Sequence, residues 1–272
     1  MFISTMTYEE IYQAISKEMF DAFDHYQKVV KPKVDRALKT ATNFPKRITI
    51  DWKHPKSRNT YTYYIQSNRR AQWSNPFISI FSEYDGKQGK ELLAVVPNPY
   101  KKELLLSIFT QHFYEQYGAR FLKEDSDYYR IVATYIMRNT KAASMGKELV
   151  SLNEQQTEVP GYTKESMLNL DGLGLGLRSN SGSIVVYRTF VSFDLLFDNQ
   201  YRKIWPIYLY FVCGLAIEAS PKEGELINSI YEAGAKKMHL LADDNNLSEE
   251  ENCKLIYQEY EQTYQKLVKY IA

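Results

Sequence analysis

The chain has 272 residues, of which 44% are hydrophobic and 25% are charged, and its formal net charge is +1. The length suits one large domain or two small ones, and the near-neutral charge removes any whole-chain electrostatic argument for nucleic acid or an anionic membrane. The longest nearly uncharged run, residues 204–217, is shorter than the roughly 20 residues that a bilayer requires, so we predict a buried core helix there.

Two cysteines, Cys213 and Cys253, lie in apolar helical patterns. They are too few for a disulfide scaffold, and they lack the spacing of metal ligands. The N-terminal sequence also lacks the basic and long apolar segments of a secretory signal. We therefore predict buried free thiols in a cytoplasmic protein.

The chain begins with a helical pattern over residues 7–43. Thr7 and Glu10 have the spacing of a capping box, in which each side chain bonds to the backbone of the other residue. Pro32 removes a backbone donor inside the pattern and predicts a kink or a short break. His25 lies among charged residues, and we interpret it as a solvated surface histidine.

The pattern then alternates with the period of β-strands. The Asp85-Gly86 pair is a strong signal for a hairpin turn. We predict four successive strands, mostly antiparallel, at residues 47–52, 60–65, 77–81 and 91–96.

A helix is predicted over residues 98–121. Asn98 suits the N-cap position, and Pro99 suits the first helical position because its missing N–H has no partner there. The apolar residues between 104 and 109 fall at helical steps. His112 lies at the edge of the same face, so we expect its side chain to be at least half buried.

A second helix is predicted over about 126–139, followed by a long irregular loop at 140–166. Strands are predicted again at 167–177 and 183–191, joined as a hairpin. Glycines occupy alternate positions of the first of these strands and leave one of its faces bare, which favours close packing against a helix. These glycines are Gly172, Gly174 and Gly176.

The C-terminal third is predicted to be helical. One helix begins at Ser192 and runs into the apolar stretch, and another begins at Pro221. Ser248 and Glu251 form a second capping box at the start of the last helix.

We therefore predict an α+β fold, with a mostly antiparallel sheet that collects strands from 47–96 and 167–191. Helices 101–121 and 193–218 are expected to pack on the sheet, and the terminal helices 7–43 and 248–271 to pair. A single domain over 1–272 is the first expectation. The alternative is a sheet-containing core at 45–205, with 7–43 and 221–271 forming a helical subdomain.

Motifs for metal, nucleotide and serine-hydrolase chemistry are missing from the sequence, and we expect neither a metal nor another cofactor. What remains is a set of polar residues on the helix around His112 and on the last strand. His112 as acid or base, Arg120 over a phosphate and Thr189 as a positioning hydroxyl would suffice for metal-free RNA cleavage. Tyr117, Tyr187 and Arg188 are the predicted binding residues beside them.

A second set of residues suggests contact with single-stranded RNA. Arg69, Arg70 and Trp73 follow the second strand, which contains Tyr63 and Tyr64. We expect these side chains to be exposed, where they can stack on bases and contact phosphates.

The helix around His112 and the last strand also carry a resemblance. His112, Phe113, Tyr117 and Arg120, with the later Thr189, Phe190 and Ser192, resemble a His-Phe-x-x-x-Tyr-x-x-Arg helix and a Thr-Phe-x-Ser segment in a set of uncharacterised bacterial proteins. Gln116 stands where an arginine is expected in that pattern. The resemblance implies a common core from roughly 45 to 205 and implies no activity.

Two classes of function stay open. The first is a non-catalytic interaction protein that binds a protein partner through its tyrosine-rich sheet and its helices. The alternative is a metal-independent nuclease or toxin-like RNA-processing enzyme that uses His112. Neutral charge and the missing motifs favour the first.

Overall fold

The computed structural model divides the chain into two compact units, Met1–Ser192 and Phe193–Ala272, which are described separately. The residues that the structure describes are 2–86, 89–97, 104–123, 127–139, 143–144, 159–195, 198–244 and 246–271.

The first unit is built on one sheet with the strand order β1-β2-β3-β4-β5-β9-β8-β7-β6. The strands are β1 Lys46–Lys53, β2 Thr60–Ser67, β3 Phe77–Gly86, β4 Gly89–Pro97, β5 Leu104–Phe109, β6 Ala143–Ser144, β7 Tyr162–Asn169, β8 Gly172–Ser179 and β9 Ile184–Val191. Neighbouring strands are antiparallel except for β5 and β9, which are parallel. The predicted α+β class is confirmed.

Seven α-helices are found in the described residues. They are α1 Tyr8–His25, α2 Lys31–Lys39, α3 Gln111–Tyr117, α4 Tyr128–Arg138, α5 Asp198–Ala219, α6 Gly224–Ala242 and α7 Glu249–Leu267. Two π-helical turns, Tyr26–Val30 and Gly118–Leu122, follow α1 and α3.

The N-terminal helix has the predicted start, because Thr7 and Glu10 form both bonds of the capping box. The expected break takes the form of the π-helical turn Tyr26–Val30, and Pro32 lies in the first turn of α2. The interpretation of His25 as solvated is wrong. Its ring stacks on Trp52 with centroids 4.6 Å apart, because β1 runs directly beneath this end of α1.

The predicted helix over 98–121 is wrong in its first half. Residues 104–109 form β5, a central strand paired with β4 and β9, whereas 98–103 lie outside the described residues. Helices cover both faces of the sheet here, so β5 reads as a continuous apolar run that periodicity cannot distinguish from a helix. The helix begins only at Gln111, and the side chain of the N-cap residue Thr110 accepts a hydrogen bond from the backbone N–H of Phe113.

Helices cover the sheet on both faces. We call these faces the α1 face and the α3–α4 face after the helices that pack on them. The core of the α1 face includes Ile11, Ile15, Met19, Tyr61, Tyr63, Ile65, Leu93, Leu106, Ile108 and Val186. The core of the α3–α4 face includes Tyr64, Phe81, Leu92, Ala94, Phe109, Phe113, Tyr117, Val132, Tyr135 and Phe190.

The segment predicted as one strand over 167–177 is a hairpin. It consists of the end of β7, a turn at Leu170 and Asp171, and β8. The expected long loop at 140–166 is likewise shorter, because β7 already begins at Tyr162. Most of the loop, residues 145–158, lies outside the described residues.

The prediction that the glycines of β8 allow close packing against a helix is confirmed at Gly174. A Cβ there would lie 2.9 Å from the hydroxyl of Tyr135, which projects from α4. Gly176 is required for a different reason. A Cβ at this position would lie 1.8 Å from the carbonyl oxygen of Val186 on β9. The register of β8 and β9 shifts at this point, and a side chain does not fit.

The second unit contains α5, α6 and α7. The predicted buried helix over 204–217 is confirmed as the inner part of α5, where Trp205 stacks on Tyr260 of α7 with centroids 5.2 Å apart. Cys213 and Cys253 are buried free thiols, as predicted.

In the described part of the chain, no single helix is both long and apolar enough to cross a bilayer. Only the pair Ile204–Ala219 and Pro221–Ala242, bent by 120° at the break between them, meets both conditions together.

Candidate functional site

The two central strands β5 and β9 are parallel, so their carboxyl ends lie side by side at the same end of the strands. Thr110, the residue after β5, joins them. Its N–H donates to the carbonyl oxygen of Tyr187 at 3.1 Å, and its hydroxyl donates to that of Arg188 at 3.0 Å. In open sheets with parallel strands, ligands bind at such ends. A ligand-binding site is therefore expected at the carboxyl ends of β5 and β9.

A buried carboxylate, Asp171, lies beside the end of β9. Its side chain is 1% exposed and accepts from Arg138, with Nη2 to Oδ1 at 2.8 Å and Nε to Oδ2 at 2.9 Å. The hydroxyl of Tyr117 donates to Oδ2 at 2.7 Å, and the amide of Asn139 donates to it at 3.2 Å. Burial, with the charge of Asp171, raises the pKa of Tyr117, so its phenol stays neutral and acts as a donor.

Arg120 also reaches β9, but it contacts the backbone. Its Nη1 donates to the carbonyl oxygen of Phe190 at 2.7 Å. The ring of Phe190 is buried under Tyr117, with centroids 4.9 Å apart. Arg120 therefore ties the turn after α3 to the last strand.

Tyr187 and Thr189 are less available than the sequence predicted. The ring of Tyr187 stacks on Phe109 with centroids 4.6 Å apart, and it meets the edge of Tyr135. Burial raises the pKa of Tyr187 to about 12. Thr189 is half-buried and lies opposite Leu175 of β8.

Arg188 lies on the opposite face from Arg120. The register of β8 and β9 shifts here, since Gly176 lies opposite Tyr187 and Leu175 lies opposite Thr189. Val186 packs on the α1 face and Tyr187 on the α3–α4 face, so alternation along β9 places Arg188 on the α1 face. The bulge changes the face of the residues after it, because Phe190 lies on the same face as Tyr187, and sequence periodicity cannot show this.

Glu91 is a buried carboxyl that the sequence reasoning missed. It is 3% exposed and pairs with Tyr84 across β3 and β4 on the α1 face. Its Oε1 accepts from the hydroxyl of Tyr8 at 2.9 Å, whereas its Oε2 is buried and accepts no hydrogen bond from the residues that the structure describes. Burial raises the pKa of Glu91. The alternation of Glu91 with Leu93 and Val95 was the signal for this inward position.

His112 is exposed in the first turn of α3. Among the described residues it makes no hydrogen bond, and the bonds to β9 come from Thr110 instead. The expectation that its side chain is at least half buried is therefore wrong. The structure brings Tyr117 and Arg120 to the end of β9, whereas the side chain of His112 makes no hydrogen bond to β9.

The residues predicted to contact single-stranded RNA do not form one exposed surface. Arg69 and Arg70 are exposed in the turn after β2, but Trp73 is half-buried below the Nζ of Lys39, 5.7 Å from its ring centre. Tyr63 and Tyr64, predicted to be exposed, are buried on opposite faces of the sheet. Helices on both faces remove the tyrosines from contact with a ligand.

A Ser-His-Asp chain, also missed, closes the turn between β1 and β2. Nδ1 of His54 lies 3.0 Å from the hydroxyl of Ser57, and its Nε2 lies 3.1 Å from the carboxylate of Asp21. The backbone N–H of Ser57 also donates to Nδ1, at 3.2 Å. His54 therefore accepts at Nδ1 and donates at Nε2, and it fastens the turn to α1.

The described residues contain no group of three or more His, Cys, Asp or Glu side chains arranged to hold a metal ion. No protein-family model matches the chain, and no curated protein or solved structure matches it significantly.

Proposed function

We propose that the protein is a non-catalytic, cytoplasmic interaction protein that binds a protein partner. The observation that carries this proposal is the lack of convergence among the predicted catalytic groups. Arg120 is bonded to the backbone of β9, Arg188 lies on the other face of the sheet, and His112 is exposed. Acid–base catalysis requires such groups within hydrogen-bond reach of one reacting position.

The exposed features of the first unit support the binding of a protein. Phe20 on α1 is 80% exposed, and Phe23, one turn further along, is 39% exposed. Strand β1 is an edge of the sheet, so it carries backbone donors and acceptors that pair with no neighbouring strand in the described part of the chain. Aromatic side chains and strand edges are common elements of protein interfaces.

Incubation with labelled RNA and with labelled DNA in EDTA tests the proposal against the nuclease alternative. We expect no cleavage products from the wild-type protein, and the same result from His112→Ala. Metal-free cleavage of RNA that is lost in His112→Ala, while the variant keeps its melting temperature, would establish the nuclease function instead.

A further inference from the structure

Strand β1 offers an open edge that is complementary to itself. Ile48, Ile50 and Trp52 lie on the α1 face, where they pack partly buried against the core. Arg47 and Asp51 are exposed on the other face. A two-fold axis perpendicular to a sheet pairs two copies of an edge strand antiparallel and keeps each face continuous across the junction.

The register centred on Thr49 satisfies every requirement of such a pairing. Thr49 then lies opposite its own copy, and Ile48 lies opposite Ile50 of the second copy on the α1 face. Arg47 lies opposite Asp51 of the second copy on the exposed face, and symmetry repeats this pair. Directly opposite residues of opposite charge stabilise antiparallel strands, whereas like charges destabilise them.

Neighbouring registers are worse. Odd shifts are excluded because they place a residue of the α1 face opposite a residue of the other face. A shift of two residues that centres the pairing on Ile50 puts Arg47 opposite Lys53 of the second copy, which is repulsive. The shift in the other direction leaves Asp51 opposite Pro45, outside the strand.

We infer that two copies of the chain associate through β1 in the register centred on Thr49, forming one continuous sheet. Backbone hydrogen bonds of the two edges hold the dimer, and the two Arg47–Asp51 pairs select the register. Both side chains are exposed beside their neighbours on β2. Among the described residues, the Nε of Arg47 donates to Gln66 at 3.0 Å, and the Oδ1 of Asp51 accepts from Thr62 at 2.8 Å.

Charge reversal tests the inference on the full-length chain by sedimentation velocity over a range of concentrations. The wild-type protein is expected to be a dimer that dissociates on dilution. Arg47→Asp and Asp51→Arg each place like charges opposite each other twice, and each is expected to weaken the dimer by about tenfold or more. Lys53→Asp is the matched control, because Lys53 lies outside the pairing, and its dimer is expected to persist.

A mixture of the two variants shows whether a weaker dimer results from charge repulsion in this register or from damage to the fold. In an equimolar mixture of Arg47→Asp and Asp51→Arg, each reversed residue faces an opposite charge, so a heterodimer is expected. The double variant R47D/D51R is expected to dimerise alone for the same reason. A wild-type chain that is monomeric at every concentration overturns the inference. So does a dimer that both single variants retain, or a mixture that stays monomeric. The outcome is independent of the nucleic-acid cleavage assay.

Discussion

At the scale of single residues, the buried carboxyls define the polar interior of the first unit. Asp171 accepts hydrogen bonds from the side chains of Tyr117, Arg138 and Asn139, whereas Glu91 accepts from one side chain among the described residues, that of Tyr8. A buried charge that is well paired is held in place, and one that is poorly paired is costly. The two residues should therefore respond to substitution in opposite ways.

Replacing Asp171 by Ala should destabilise the fold. The substitution leaves Arg138 and the phenol of Tyr117 without their acceptor, at an expected cost of about 3 kcal/mol of unfolding free energy. Tyr117→Phe removes one hydrogen bond and should cost about 1 kcal/mol. Urea titration of both variants measures the difference. Equal losses of unfolding free energy in Asp171→Ala and Tyr117→Phe would show that Asp171 does not hold Tyr117, Arg138 and Asn139 together.

Replacing Glu91 by Gln should change how stability depends on pH. Burial raises the pKa of Glu91 in the folded state. The contribution of the wild-type carboxyl to stability is therefore fully present below its unfolded pKa and is lost as the pH rises through the folded pKa. Glu91→Gln keeps an oxygen that accepts from Tyr8 and carries no charge.

The stability of Glu91→Gln relative to the wild type should accordingly increase from acidic to neutral pH. Urea titrations of both proteins between about pH 4 and pH 8 measure the change, and this window includes the ordinary pKa of glutamate. A variant that becomes relatively less stable as the pH rises would mean that the nearby charge of Arg188 outweighs the burial of Glu91.

At the scale of elements, the close approach of β8 to its neighbours depends on two glycines that face different obstacles. Gly174→Ala brings a Cβ against the hydroxyl of Tyr135, an atom at the end of a side chain, and should cost about 1–3 kcal/mol. Gly176→Ala meets the backbone of Val186, which cannot rotate away. We expect the second variant to be much less stable.

Tyr135→Phe provides the matched test. It removes the hydroxyl that Gly174→Ala would meet, so the double variant should lose less stability than the sum of the two single changes. The same second substitution should not rescue Gly176→Ala. Thermal melting of the three single variants, the two double variants and the wild type decides between these outcomes. Additivity of Gly174→Ala with Tyr135→Phe would contradict close packing of Gly174 against Tyr135.

Elements with local signals were predictable from the sequence, and those defined by distant contacts were not. The capping box of α1 and the hairpin of β3 and β4 depend on neighbouring residues, and both form. Asp85 and Gly86, predicted at the turn of the hairpin, pair with Lys90 and Gly89 at the ends of the strands instead. Strand β5 was mistaken for a helix because its burial comes from helices distant in sequence. The candidate site divides in the same way. Tyr117 and Arg120 share one helical segment and reach β9 together, whereas Arg188 lies on the other face because it alternates with Tyr187 along β9.

At the scale of the whole molecule, the division into Met1–Ser192 and Phe193–Ala272 bears on the prediction of a single domain. The first unit contains the entire sheet and both of its helical layers. We therefore expect residues 1–192, expressed alone, to fold and to melt cooperatively.

Circular dichroism and calorimetry of the 1–192 fragment measure this outcome. A fragment that aggregates or melts without a cooperative transition would support the prediction of one domain over 1–272. A matched fragment that ends at Asp171 removes β8 and β9, and it should not fold under the same conditions.

The parallel pairing of β5 with β9 has a consequence for the order of folding. Strands β1 to β5 are neighbours in both sequence and space, and so are β6 to β9. Each half of the sheet can therefore assemble by pairing strands that are consecutive in sequence, and the meeting of β5 with β9 joins the strands that are furthest apart in sequence among neighbours in the sheet. Contacts between residues far apart in sequence slow folding because the entropy of loop closure is lost before the contacts form. Truncating Ile108 or Val186 at this junction should therefore slow refolding, whereas truncations in the outer hairpins should mainly accelerate unfolding.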